Sequence, residues 1–118
     1  MTYNIKTRKG YDGWEAVSET MLGDADGGQR ILKLRTSKLN GRLASTASVS
    51  IRKNSGAGFM SEMTEIFGDF YKRGIAETSC SRVTEKSVLD VHKRALLEMD
   101  ALIDQAKAFY EMKARKVV

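Results

Sequence analysis

The segment LRTSKLNGRLASTASVSIRK, residues 34–53, contains an Asn-Gly pair between two stretches in which polar and apolar residues alternate. Asn40-Gly41 favours a two-residue type I′ hairpin, because both central residues of that turn need a positive φ. Leu39 then pairs with Arg42, and the alternation gives the hairpin two distinct faces. The apolar face, which we expect in the core, carries Leu32, Leu34, Leu43, Ala47, Val49 and Ile51.

The other face of this hairpin is basic and rich in small hydroxyl side chains. No carboxylate occurs between Asp26 and Glu62. Clustered Lys and Arg side chains are typical of phosphate-binding surfaces, and Ser and Thr hydroxyls donate hydrogen bonds to phosphate oxygens. The candidate nucleic-acid-binding residues are Lys33, Arg35, Arg42, Arg52, Thr46 and Ser48.

A different interpretation of the same face stays open. Glu15 and Glu19 are expected to face outward on the preceding strand, where they would pair with Lys33 and Arg35. The surface would then be a solvated, partly neutralised sheet face. The hairpin also places no aromatic residue there, so the stacking platform of single-strand binders is missing. Aromatic residues from neighbouring segments, Tyr3, Tyr11 and Trp14, are the candidates to supply one.

The remaining chain indicates strands first and helices last. Short alternating runs before the hairpin predict further strands, so that residues 1–53 form an antiparallel sheet of about three to four strands. Apolar spacing then predicts a short helix over 59–73, ending at Gly74, followed by a loop or short edge strand over 75–83. A long amphipathic helix is predicted over 84–115. This order indicates a single α+β domain, residues 1–118, with both helices covering one face of the sheet.

The long helix carries a candidate dimer interface. Its apolar residues keep a spacing of four and three, which is typical of a seam between two helices. A helix of about 32 residues is also ~48 Å long, which exceeds the width of a domain this small. We therefore expect a homodimer whose interface includes Leu96, Met99, Ile103 and Tyr110; the alternative is that the same stripe covers the chain's own sheet.

The charge composition of the chain favours a polyanionic partner. The formal net charge is +5, and the whole excess lies in residues 1–58, which carry ten Lys and Arg against five Asp and Glu. No apolar run is long enough to span a bilayer or to resemble a signal peptide, and there is one cysteine. We expect a cytoplasmic protein with no membrane association.

No catalytic or metal-binding pattern is visible in the sequence. His92 is expected to be a packed, hydrogen-bonded core residue, and Cys80 an ordinary thiol. The turn at 23–28 does not continue as a calcium loop, because its twelfth position, counted from Asp24, is Arg35 instead of Glu. We expect no enzyme activity, no metal and no cofactor.

The sequence therefore favours a small nucleic-acid-binding protein, homodimeric, that uses the basic hairpin face. The alternative is a protein-interaction module, such as an adaptor or an inhibitor of a larger complex. It would act through the long helix or the hairpin face, and its partner would be an acidic protein.

Overall fold

The computed structural model describes residues 3–11, 13–25, 27–54, 63–79 and 82–116. Within these ranges, an antiparallel sheet is followed by two helices, which confirms the α+β class with more strands than expected. The elements are β1 (Lys6–Gly10), β2 (Gly13–Ala25), β3 (Gly28–Leu39), β4 (Arg42–Asn54), β5 (Met63–Lys72), β6 (Glu77–Ser79), α1 (Glu85–Leu96) and α2 (Met99–Lys116). The strands lie in the order β1-β2-β3-β4-β5, and β6 pairs with β4 beyond the end of β5.

The hairpin between β3 and β4 forms as the Asn-Gly pair predicts. Asn40 has a φ of 53° and Gly41 a φ of 75°, as a type I′ turn requires. Leu39 pairs with Arg42, and the register continues without a slip to Gln29 opposite Arg52. The predicted division of the hairpin into two faces is therefore confirmed.

Both described helices pack on the apolar face of the sheet. α1 contacts β2, β3 and β4, while α2 contacts β3. Ser45 and Ala47 are fully buried on this face, and their small side chains let the helices approach closely. The largest core cluster consists of Leu32, Leu34, Ala47, Val49, Phe70, Ala95, Met99, Leu102 and Ala106. With the helices on this side, the described part of the chain leaves the opposite face of the sheet open.

The helix predicted over 59–73 is wrong where the structure describes it, because residues 63–72 form β5. Phe67 lies opposite Ser50 and Tyr71 opposite Ser48, so three residues of β5 face the single residue Val49. This bulge buries Phe70 on the helix side and leaves Phe67 and Tyr71 on the other. Because of the bulge, the apolar residues Met63, Ile66, Phe67 and Phe70 recur at intervals of three and four, which resembles the period of a helix. Residues 59–62 lie outside the described residues.

A second interruption follows in the same edge of the sheet. Lys72 of β5 pairs with Ala47, whereas Glu77 of β6 pairs with Ala44. The chain between β5 and β6 therefore contains more residues than the stretch of β4 that it follows. Gly74 has a φ of 66° at this point, so its left-handed conformation serves a strand interruption instead of the predicted helix end. The expected short edge strand within 75–83 is confirmed as β6.

The long helix predicted over 84–115 is divided in two. It begins as expected, since Thr84 caps α1 and exchanges hydrogen bonds with Ser87. The break lies at residues 97–98, where the Leu97 N–H donates to the Arg94 carbonyl at 3.3 Å. Leu97 is 83% exposed, whereas Ala95 and Met99 on either side are fully buried. The break therefore keeps the apolar stripes of both helices on the sheet.

His92 occupies the centre of a buried polar cluster. Its Nδ1 lies 2.7 Å from the hydroxyl of Thr36, and its Nε2 lies 2.8 Å from the hydroxyl of Ser18. The Thr36 hydroxyl also lies 2.6 Å from that of Ser45. Burial lowers the pKa of His92 to about 4, so the ring is neutral near pH 7. The expectation of a packed, hydrogen-bonded core histidine is confirmed, while Cys80 lies outside the described residues.

Candidate functional site

The open face of the sheet brings most of the predicted binding residues together. Arg35 lies opposite Thr46 and Lys33 opposite Ser48 in the β3–β4 ladder, and these four residues line one groove. Arg52 lies further along β4. Arg42 is exposed beside the hairpin turn, at the other end of the same strand.

One carboxylate on this face lies between two arginines. Glu15, on β2, contacts Arg8 and Arg35, each at 2.6 Å. The hydrogen bond from Arg35, supported by that from Arg8, lowers the pKa of Glu15 against the opposing effect of partial burial. The predicted pairing of Glu15 with Arg35 is thus confirmed, although half of the Arg35 side chain stays exposed.

Two further carboxylates form a tighter cluster with Lys33 and Arg52. The Nη2 of Arg52 lies 2.5 Å from Glu19 and 2.6 Å from Glu65. The Nζ of Lys33 lies 3.1 Å from Glu65 and 3.9 Å from Glu19, so the predicted Glu19–Lys33 contact is the longer one. The hydrogen bond from Arg52, with that from Lys33, lowers the pKa of Glu65. We call Glu19, Lys33, Arg52 and Glu65 the four-charge cluster.

Two aromatic side chains of β5 lie on the same face and supply the rings that the hairpin itself lacks. Phe67 is 73% exposed, and Tyr71 is 52% exposed. The groove that they line has a volume of about 460 Å³, and its other residues include Lys33, Arg35, Thr46 and Ser48. Sequence reasoning missed both aromatic residues because it assigned their segment to a helix.

The aromatic residues considered earlier lie elsewhere. Trp14 packs partly buried against the core cluster around Ala16, and the Tyr3 hydroxyl donates to Asp100 on α2. Tyr11 is fully exposed in the turn between β1 and β2. The stacking surface of the open face therefore comes from β5.

Two arginines near the groove remain available to a ligand. Arg42 and Arg73 form no ion pair with any carboxylate in the described ranges. The guanidinium of Arg73 lies 5.5 Å from the centre of the Tyr71 ring, within the range of a cation–π contact. These two arginines lie toward the hairpin end of the face, away from Arg52 and Glu65.

The residues predicted for a dimer interface contact the chain's own core. Met99 is fully buried, and Leu96, Ile103 and Tyr110 are partly buried against the same cluster. The stripe therefore covers its own sheet, as the alternative interpretation held. The homodimer itself stays a prediction.

Other kinds of site find little support in the described residues. No group of His, Cys, Asp and Glu side chains there could hold a metal ion. Nor is any described helix both long enough and apolar enough to cross a membrane.

Comparisons with known proteins found no match: no family model fits the sequence, and neither the curated proteins nor the solved structures include one with significant similarity.

Proposed function

We propose that this protein binds single-stranded nucleic acid on the open face of its sheet. The observation that carries the proposal is the position of Phe67 and Tyr71, two exposed rings beside cations and hydroxyl groups. Helices pack on the other face of the same sheet, so the rings lie on the side that the described helices leave open.

The chemistry of the groove suits unpaired nucleotides. A base that stacks on an aromatic ring contributes about 1–3 kcal/mol to binding, and every base offers such a surface. Arg35, Arg42 and Arg73 would neutralise phosphates, and the hydroxyls of Thr46 and Ser48 would donate to phosphate oxygens. A duplex buries its bases within its own stack, so exposed rings favour a single strand.

In this function the protein would bind the strand as a homodimer and would catalyse no reaction on it. The second candidate is a protein-interaction module with an acidic partner. Exposed Tyr and Phe side chains support it too, because aromatic residues are enriched in protein interfaces. The two candidates differ in their response to oligonucleotides.

The test is fluorescence anisotropy with a labelled oligothymidine of about 20 nucleotides and with a duplex, each measured at two salt concentrations. We expect the single strand to bind more tightly, and salt to weaken its binding. Phe67→Ala and Tyr71→Ala should each lower the affinity by about 1–3 kcal/mol while the melting temperature hardly changes. The control Leu97→Ala removes an apolar side chain of the helix layer that is more exposed than either ring. If wild-type protein binds no oligonucleotide at about 20 mM salt, the interaction module replaces this proposal.

A further inference from the structure

We propose that Glu19 and Glu65 are specificity-determining residues that compete with phosphate for Lys33 and Arg52. This inference rests on the proposed function and adds to it which part of the face the phosphate backbone occupies. The carboxylates would hold the two cations where a phosphate group would otherwise bind.

The geometry of the four-charge cluster carries the inference. Both carboxylates contact the same Nη2 atom of Arg52, at 2.5 and 2.6 Å, so its hydrogen-bonding positions on that side are occupied. Lys33 lies 3.1 Å from Glu65. The four side chains are only 23–29% exposed, which places the cluster within the sheet surface and not at the ends of mobile side chains.

Charge determines what this cluster does to a polyanion. Glu65 keeps its negative charge well below neutral pH, because its cationic neighbours lower its pKa. Two cations beside two carboxylates present no net positive charge. A phosphate placed there would also lie close to the negative charges of Glu19 and Glu65. This repulsion disfavours a strand whose backbone crosses the cluster.

The backbone of the bound strand would then follow the hairpin end of the face. Arg42 and Arg73 supply cations there that pair with no described carboxylate, and Arg35 shares the single carboxylate of Glu15 with Arg8, which leaves that group one net positive charge. Tyr71 lies beside Arg73 and lines the groove with Arg35. At ~0.7 per phosphate contact for a single strand, three contacts predict a slope of log affinity against log salt near −2. Lys33 and Arg52 would add to that slope only once their carboxylates are neutralised.

The double substitution Glu19→Gln with Glu65→Gln tests this directly. Gln keeps the size of Glu and an oxygen that accepts hydrogen bonds, but it removes the charge. We expect the variant to bind oligothymidine about tenfold more tightly or better, and its salt slope to become steeper by ~1.4, because two further cations become available. The single variant Glu65→Gln should give an intermediate result and provides a second measurement if the double variant melts too early.

A matched control separates this effect from the general change in net charge. Asp90→Asn with Glu98→Gln makes the same charge change on exposed residues of the helix layer, away from the open face. We expect that control to leave the slope unchanged. Equal affinity and equal slope in the cluster variant and the wild type would overturn the competition while the proposed function stands. If neither protein binds any oligonucleotide, the proposed function fails and the competition fails with it.

Discussion

The Nε2 of His92, on α1, lies 2.8 Å from the hydroxyl of Ser18, on β2, and both side chains are buried between the helix and the sheet. Burial favours the neutral ring, and the pKa of His92 falls from its ordinary 6.5 to about 4. At a pH between these two values, the His92 ring is protonated in the unfolded chain but neutral in the folded protein. The free energy of unfolding therefore falls as the pH is lowered through this window.

We expect urea unfolding to show a loss of about 2 kcal/mol between pH 7 and pH 5. Stopping at pH 5 keeps the carboxylates of Glu15 and Glu65 ionised, because their pKa values are lowered. His92→Leu should be less stable at both pH values, since Ser18 and Thr36 lose their partner, but it should lose this pH dependence. Equal stability of the wild type at pH 7 and 5 would contradict the neutral, buried ring.

Gly68→Ala should destabilise the fold through a contact with α2. A Cβ atom at Gly68 would collide with the hydroxyl of Tyr110 and lie 3.2 Å from the carbonyl oxygen of Val49. Moving the ring aside would disturb the Arg30 guanidinium, 4.1 Å from the ring centre, and the hydrogen bond that the Tyr110 hydroxyl accepts from the Phe70 N–H. We expect a loss of about 1–3 kcal/mol in chemical denaturation. Tyr110→Phe removes the hydroxyl, so the same Ala should cost less in that background; an equal cost would show that Tyr110 is not the obstacle.

Asn40→Val should strain the hairpin turn. Asn40 has a φ of 53°, a conformation that a β-branched side chain adopts only at a cost of roughly 1–2 kcal/mol. Asn40→Gly supplies the control, because Gly accepts positive φ. Thermal melting of both variants measures the difference. A Val variant as stable as the Gly variant would be inconsistent with a type I′ turn.

Met99→Lys should unfold the protein by placing an unpaired charge in the core. Met99 is fully buried, so the expected loss is about 4 kcal/mol or more, measured by denaturation. Met112→Lys makes the same change at an exposed position of α2 and should shift stability by no more than ~0.5 kcal/mol. Sedimentation of the wild type tests the homodimer. A dimeric wild type combined with a folded, monomeric Met99→Lys variant would place the subunit interface on this stripe after all.

Arg42→Ala should weaken oligonucleotide binding through charge alone. The side chain is exposed at the hairpin end of the open face, where it forms no ion pair with the described carboxylates. We expect the salt slope to become shallower by ~0.7, one phosphate contact, with the melting temperature unchanged. Lys86→Ala, an exposed cation on α1, is the control. An unchanged slope in Arg42→Ala would remove this residue from the binding surface.

The hairpin and its register could be predicted because two local signals agree. Asn40-Gly41 fixes the turn, and only one register buries the leucines of both strands. The start of α1 was similarly readable from Thr84 and the apolar spacing after it. The pairing of Glu15 with Arg35 followed from strand alternation alone.

The aromatic part of the site could not be predicted, because a bulged strand and a helix give similar apolar spacing. Two signals in residues 63–72 point to a strand: Gly68 disfavours a helix interior, and the surrounding Thr, Ile, Phe and Tyr residues favour strands. Tertiary pairing with β4 decides between the two. The same error concealed Glu65, which the helix assignment removed from the open face. The break at residues 97–98 contains neither Gly nor Pro, so packing on the sheet, and not local preference, accounts for it.

The two interruptions along β5 and β6 also bear on aggregation. A continuous outer strand presents a row of unpaired backbone groups that can recruit a strand from another molecule. Here the bulge at residues 68–70 and the offset at Gly74 break that row into short pieces, none of which offers a long regular ladder to an incoming chain. At the opposite edge, β1 carries Lys6, Arg8 and Lys9, whose like charges repel an identical strand. Both features oppose the recruitment of a further strand along β5, β6 and β1.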